Sequence, residues 1–375
     1  LQKSYNMEQT DILMDKGYRP FRELPTGAHI LVGFSGGVDS TVTALLALRS
    51  GYSVTGVRMT LFEEDSSESA EKAQSAADKI GIRLITVPLA SRFRERVLRP
   101  SWETFQAGFT PNPCALCNPR VKFGALLPLI EEYGCDAFAT GHYAKVFTEN
   151  GKTVLARGEF RPKDQSYFLF GLSQEQLGKV VFPLGAMSKD EVRAIAAEAG
   201  MPNAKAKESQ DACFMPPNQT AAGFLKDFFH AHPKPGPFRC HPDGHILGHH
   251  DGIYNFTIGQ RKGTGVAMGV PAWISKIDGQ DCSVWITTDS DVLLANGLKT
   301  DAMHWVAEPQ AEIFHAQVQI RYRSRPVESE IHLQNDGTAE IKFETPIRAV
   351  TPGQAAVLYD GDRLIGGGQI RQAIQ

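Results

Sequence analysis

Apolar runs and helix-periodic stretches alternate along residues 29–145. HILVGF (29–34) reads as a short buried strand, Ser40–Ser50 as an amphipathic helix stopped by Gly51, and SVTGVRMTLF (53–62) as the next strand. A Ser/Glu/Ala-rich helix runs up to Gly81, then come the strand IRLITVPLA (82–90), a helix around Val121–Tyr133 and the strand AFATG (137–141). Strands and helices alternating at this spacing predict an α/β fold, a doubly wound parallel sheet. Such sheets bind ligands beyond the carboxyl ends of their strands. GFSGGVDS (33–40) and ATGH (139–142) both fall at those ends.

The pattern changes downstream. SKDEVRAIAAEAG (188–200) reads as a helix opened by a capping box, Ser188 with Glu191. Residues 231–250 are rich in Pro, Gly and His and predict loops and short strands. From about 283 strands dominate, punctuated by the turns Asn335-Asp336-Gly337 and Asp360-Gly361-Asp362. That predicts a small β-barrel or sandwich. The expected domains are an extension (1–28), an α/β domain (29–217), a small mixed central domain (218–282) and a C-terminal β-barrel (283–375), with the helical insertion around 180–201 assignable to either of the middle two.

Composition narrows the class. The chain has 375 residues, 42% hydrophobic and 22% charged, enough for two or three ordinary globular cores. No run approaches a membrane span, and residues 1–28 lack the apolar core of a signal peptide. The expected compartment is the cytoplasm, with the first 28 residues a loosely attached extension. A net charge of −3 excludes a uniformly basic nucleic-acid binder. Local clusters at 91–99, 118–123, 259–263 and 321–325 nevertheless keep a large anionic partner open. Six cysteines in a cytosolic chain argue for metal binding or catalysis over structural disulfides. Cys240 and His241, beside the histidines of 244–250, hint at zinc but lack a second ordered Cys pair.

GFSGGVDS carries the first chemistry. A glycine turn between a strand and a helix start offers outward N–H groups and a favourable dipole to an anion. It is not G-x-x-x-x-G-K-[ST], because it has no lysine. Ser-Gly-Gly-x-Asp-Ser resembles instead the PP-loop of ATP pyrophosphatases, which hold the β,γ-phosphates as a leaving group and place AMP on a substrate oxygen. Gly36 and Gly37 would shape the loop, Ser35, Ser40 and Thr41 would donate hydroxyls, and Asp39 would help hold Mg²⁺. The plainer reading is a tight glycine turn with Asp39 complementing the helix dipole.

The cysteines carry the second. TPNPCALCNPRVKFGALL places Cys114 and Cys117 in a proline-bounded loop leading into a helix, and KESQDACFM supplies Cys213. A thiolate near a helix start and near Arg120 and Lys122 is expected to be nucleophilic at neutral pH. Adenylating a carbonyl oxygen and then attacking with sulfur turns C=O into C=S. Two alternatives stand beside this. A PP-loop amidating synthetase would not require Cys117 or Cys213; a non-catalytic iron–sulfur, tRNA-binding protein would tolerate loss of Asp39.

Beyond residue 28 the sequence resembles the bacterial tRNA-specific 2-thiouridylase family, through GFSGGVDS, TPNPCALCN, ATGHYAKV, KDQSYFLF, SQDACF, FTIGQRKG, IRYRSRP and TPGQAAVLYDGDRLIGGG. The resemblance implies ATP-dependent sulfuration of the wobble uridine, position 34 of tRNA. It implies ATP contacts at Gly33, Phe34, Ser35, Gly36, Gly37, Val38, Asp39 and Ser40, with Met59 by the adenine and Gly141 bordering the nucleotide. Asn112, Pro113 and Cys114 fall where the family meets the target base. Cys117 matches the nucleophile and Cys213 the persulfide carrier. Lys163, Asp164, Gln165, His142, Arg321, Tyr322 and Gln354 match tRNA-contacting positions. Against that, His142 also reads as a ring packed at a strand end, and Tyr167 and Phe168 read as core.

One position departs from the pattern. Many members carry Asp where this chain has Cys114. Cys114, Cys117 and Cys213 would then suit a [4Fe-4S] cluster held by three irons, with zinc on the same thiolates a less productive option. The implied partners are the tRNA anticodon arm and a sulfur source: a cysteine desulfurase or relay protein for a persulfide route, free sulfide for a cluster route.

Overall fold

A computed structural model describes residues 17–21, 24–64, 67–205, 212–216, 218–232 and 234–375. The chain divides into two compact units, residues 1–94, 116–209 and 362–364 in one and 95–115, 210–361 and 365–375 in the other.

The first unit is built on a parallel sheet. Its strands are β1 (His29–Gly33), β2 (Ser53–Thr60), β3 (Arg83–Pro88), β4 (Ala137–Ala139) and, after the antiparallel hairpin β5 (Ala144–Glu149) and β6 (Lys152–Arg157), β7 (Val180–Val181). The order is β3-β2-β1-β4-β7, with every neighbouring pair parallel. The order reverses between β1 and β4, so the crevice favoured for ligands opens beyond Gly33 and Ala139. Helices α1 (Val38–Arg49) and α2 (Ser67–Ile80) cross over between the first three strands.

Helix α1 differs from the expected amphipathic helix. Val38 and every position from Ser40 to Ala47 are buried. The helix α3 (Lys189–Glu198) packs on it and brings Val192, Ile195 and Ala196 into the same apolar cluster as Val42, Leu45 and Leu46. A helix covered on both sides has no polar stripe to show. The expected loose extension also differs at its described end: Tyr18 and Phe21 join this core. Tyr18 Oη donates to the Phe182 carbonyl at 3.1 Å and accepts from the Val146 amide at 3.3 Å, which satisfies a buried hydroxyl.

The second unit holds two β structures and the helix α4 (Ala221–Phe228). A four-stranded sheet runs β10 (Trp273–Asp278), β11 (Ser283–Thr287), β8 (Gly236–Cys240), β9 (Ile246–His250) around Phe238, Ile274, Val284 and Ile286. Six strands then close a barrel: β12 (Leu294–Thr300), β14 (Ile313–Gln319), β15 (Val327–Leu333), β16 (Ala339–Arg348), β17 (Ala355–Asp360) and β18 (Arg363–Ile374), with the short β13 (His304–Trp305) pairing β18. The order β12-β16-β15-β14-β17-β18 returns to β12 through the Gly297–Ile374 register, so the sandwich alternative is excluded. Closure leaves no unpaired edge, and Leu298, Val318, Ile331, Ile341 and Leu358 fill the interior.

Candidate active site

Residues 34–37 turn directly from β1 into α1. Gly36 adopts φ +74°, and a Cβ there would lie 2.7 Å from Ala73 Cα, so only glycine fits both the dihedral and the space. Gly37 is the helix N-cap without a side-chain cap, which leaves the first-turn amides of α1 to a ligand. The hydroxyls fold inward. Ser35 Oγ and Ser40 Oγ lie 3.2 Å apart, Ser40 Oγ donates to the Gly37 carbonyl at 3.1 Å, and Thr41 Oγ1 donates to the same carbonyl at 2.9 Å. Asn203 Nδ2 donates to the Gly36 carbonyl at 2.6 Å from a short helical turn after α3.

At the mouth of this loop stands Asp39. Its Oδ1 accepts from Lys189 Nζ at 2.6 Å and from Tyr143 Oη at 2.9 Å. Lys189 is 10% exposed on its side chain and is aimed by the capping box of α3: Ser188 Oγ accepts from Glu191 N at 3.3 Å, and Glu191 Oε2 accepts from Ser188 N at 2.6 Å. Gly141, two residues past β4, lies so close that a Cβ would sit 2.9 Å from Asp39 Cβ. Sequence reasoning names Asp39 and Gly141 but not Lys189 or Tyr143, which the fold brings onto Asp39. The one available signal was that Lys189 is the first residue inside a capping box. Met59, the penultimate residue of β2, is half-buried opposite Val87.

The cysteine segment is helical rather than a loop. Pro113–Cys117 is a short α-helix and Asn118–Lys122 continues it as a π turn. The break falls at Pro119, which supplies no N–H to the i→i−4 ladder. Asn112 Oδ1 accepts from the Ala115 amide at 3.2 Å, making it the cap of this helix, with Pro113 at its first position. Cys114 and Cys117 are therefore one turn apart, the first half-buried and the second buried. Gln354 Nε2 donates to the carbonyls of Thr110 and Pro111, each at 3.0 Å, and so holds the strand of chain that leads into the cysteines.

Cys213 belongs to the second unit and is exposed on a turn closed by the Met215 amide and the Ala212 carbonyl at 3.0 Å. Phe214, its neighbour, is buried against Phe224 of α4 with ring centroids 5.6 Å apart, so the backbone is anchored while the thiol faces outward. The residues just before it, 206–211, lie outside the described residues. Cys135 behaves differently. Burial, reinforced by Asp136, pushes its thiol up to about 11, so it stays protonated.

The positions matched to tRNA contacts fall into three environments. His142 is buried, stacked on Phe123 at 5.7 Å and edge-on to Phe182, with Nδ1 2.6 Å from Thr140 Oγ1 and Nε2 3.4 Å from Lys122 Nζ. Burial, and next the Lys122 charge, hold it well below its ordinary 6.5, so the ring is neutral and Nε2 accepts from the ammonium. Asp164 is buried with its carboxylate bound by Arg157 Nη1 (3.1 Å), the Gly158 amide (2.9 Å) and the amide and hydroxyl of Ser166 (3.0 Å each). Its neighbours Lys163 and Gln165 are half-buried, and Gln165 Oε1 accepts from the Tyr143 amide at 3.1 Å. In the barrel unit, Arg321 donates to the Ala349 carbonyl and to Thr351 Oγ1 at 2.7 Å, and with Thr110, Thr257, Gln260 and Gln354 it lines a cavity of about 400 Å³. Tyr322 is half-exposed beside it. Tyr167 is core, as its apolar context predicts, and Phe168 packs edge-on against it.

Three family models cover most of the chain: a tRNA methyl transferase HUP domain over 28–217, a tRNA methyl transferase PRC-barrel domain over 222–288 and an aminomethyltransferase β-barrel domain over 295–370. The tRNA-specific 2-thiouridylase MnmA of Syntrophotalea carbinolica is 44% identical over 91% of this chain and 98% of its own. That of Sorangium cellulosum is 39% identical over 95% and 96%. Among solved structures, a 4-thiouridine synthetase–RNA complex with bound ATP overlaps 54% of this chain and 50% of its own at 21% identity and a TM-score of 0.35. Identity at this level over nearly the full length of both sequences, together with the phosphate loop and the cysteine helix, places the chain in the tRNA-specific 2-thiouridylase family.

Proposed function

We propose that this protein uses ATP to replace O2 of the tRNA wobble uridine with sulfur. The observation that carries the reading is the loop at the switch point of the sheet, where a left-handed Gly36, uncapped helix amides and the Asp39–Lys189–Tyr143 group converge. The β,γ-phosphates rest on the first-turn amides of α1, from Val38 to Ser40, and the Lys189 ammonium offsets their charge. Uridine O2 attacks the α-phosphorus, the bond to pyrophosphate breaks, and O2 carries AMP. The terminal sulfur of a persulfide on Cys213 attacks C2. Cys117 thiolate then attacks the inner sulfur, a Cys117–Cys213 disulfide forms, and AMP leaves as C=S closes; two equivalents of an external thiol reduce the disulfide and leave as their own disulfide.

Two further groups bear on this. No described residue donates to Asp39 Oδ2, and its side chain is 37% exposed, which fits a Mg²⁺ ligand; Mg²⁺ there would neutralise phosphate charge. Three thiols, two of them a turn apart and one exposed, also fit as a donor set for a [4Fe-4S] cluster. Held by Cys114, Cys117 and Cys213, it would supply an open iron for hydrosulfide. Cys114 gives that route its support, since a thiol cannot serve as the carboxylate acid or base found in many family members.

The description of the matching family as methyl transferase supplies the competing outcome. The test incubates a wobble-uridine tRNA transcript with ATP and either sulfide or a persulfide donor, or with S-adenosylmethionine. It uses metal-free and anaerobically reconstituted protein, each with and without Cys114→Ala. Expected products are 2-thiouridine, AMP and pyrophosphate. Thiolation only with iron and Cys114 selects the cluster route; thiolation by metal-free protein given persulfide selects the two-cysteine route. Methylated tRNA, or no thiolation in any state, overturns the reading.

A further inference from the structure

The turn between β8 and β9 gathers a second set of donors that the proposed reaction does not use. Cys240 Sγ, an Asp243 carboxylate oxygen and a His245 ring nitrogen all lie within 4.8 Å of one another. Cys240 is half-buried at the end of β8, while Asp243 and His245 face solvent. The backbone fixes this arrangement. The Cys240 amide donates to the His245 carbonyl at 2.9 Å, and the Gly244 amide donates to the Cys240 carbonyl at 2.8 Å. The His241 amide reaches across to the Ile286 carbonyl at 2.8 Å, tying the turn to β11, and Arg239 Nη1 donates to the Gly244 carbonyl at 3.3 Å. Within it, His245 Nδ1 sits 2.8 and 2.9 Å from the two Asp243 oxygens, so imidazole and carboxylate are already oriented together.

We propose that this hairpin turn is a zinc site with three protein ligands, Cys240, Asp243 and His245, and an open fourth position for water. One thiolate, one imidazole and one carboxylate suit a borderline-soft cation and disfavour Mg²⁺ or Ca²⁺, which take oxygen ligands. Tetrahedral zinc with bonds near 2.0–2.3 Å needs ligand atoms about 3.5 Å apart, so the hydrogen-bonded Asp243–His245 pair separates slightly from 2.8 Å as the metal replaces the shared proton.

The test uses the full-length reduced chain, stripped with chelator and titrated with Co²⁺ as the optical probe and Zn²⁺ in competition. One equivalent should bind with a thiolate-to-cobalt charge-transfer band. With Cys114, Cys117 and Cys213 all replaced by Ala, Cys240→Ser should abolish the band, His245→Gln should abolish binding, and Asp243→Asn should weaken it. The Cys114→Ala/Cys117→Ala/Cys213→Ala variant should keep the band, which separates this site from the sulfur-transfer cysteines and leaves the result independent of whether thiolation occurs. Metal-free unfolding curves of Cys240→Ser and the parent should coincide. A band lost in the triple variant, a band retained when Cys240→Ser is added to the triple variant, or no bound equivalent in the triple variant overturns the proposal.

Discussion

The phosphate loop and the cysteine-bearing segments show two ways of building a reactive place. The loop is made by eight consecutive residues whose backbone, hydroxyls and glycines satisfy one another, inside one unit. The cysteines are carried by two separate stretches. Cys117 is buried in a helix interrupted by a π turn, and Cys213 is exposed on a turn whose neighbour Phe214 is the anchor. A site that must hold an anion is best pre-formed. The proposed sulfur exchange would join a buried thiol to an exposed one, so it requires Cys117 to be uncovered during the reaction.

The sharpest test of that contrast separates the two halves of the reaction. Lys189→Ala removes the cation held on Asp39 and should lower pyrophosphate release and thiolation together, by about 100- to 1000-fold. Cys117→Ser should cut thiolation by more than about 1000-fold while leaving pyrophosphate release within a few-fold of the parent. Tyr143→Phe alongside Lys189→Ala separates loss of the cation from disturbance of Asp39. Pyrophosphate release that falls as far in Cys117→Ser as in Lys189→Ala would merge the two regions into one.

A smaller effect sharpens the claim that the loop is pre-formed. Gly36→Ala places a Cβ 2.7 Å from Ala73 Cα at φ +74°. Strain and crowding should cost about 2–3 kcal/mol in urea unfolding and raise KM for ATP. An unchanged midpoint would mean that α2 yields and that the loop is not rigid.

What was legible in the sequence follows the same division. Gly36, the β1–α1 turn and the Ser188 capping box are local, and local pattern found them. The Asn112 cap is legible too, since Asn followed by Pro is a helix-start signal, although the prolines around the cysteines predict a loop. Lys189 was not legible as Asp39's partner, because the two are 150 residues apart and no periodicity encodes such a pairing. Burial of α1 on both sides and of Tyr18 was invisible for the same reason: each depends on what a distant segment covers. The barrel's closure through β12 and β18 joins strands more than sixty residues apart, beyond what the turn signals could specify.

The subtlest expected effect concerns His142, which both unused readings, tRNA contact and packed ring, left open. Its ring is neutral because burial and Lys122 hold it well below 6.5. In the unfolded chain it titrates near the ordinary value, so below about pH 6.5 the unfolded state binds a proton that the folded state does not. Stability from this residue is therefore complete above pH 6.5 and declines as pH falls, by at most about 1.4 kcal/mol per pH unit until the folded ring protonates. His142→Phe keeps the stack with Phe123 and Phe182 and removes the titration. Urea unfolding of both proteins from pH 7.5 to 5.5 isolates the difference, since every other titrating group is common to the two. A steeper fall in the parent below pH 6.5 fits a ring locked in the core. Equal slopes would mean that His142 reaches solvent and picks up its proton in the folded state, which would return it to the RNA-facing surface.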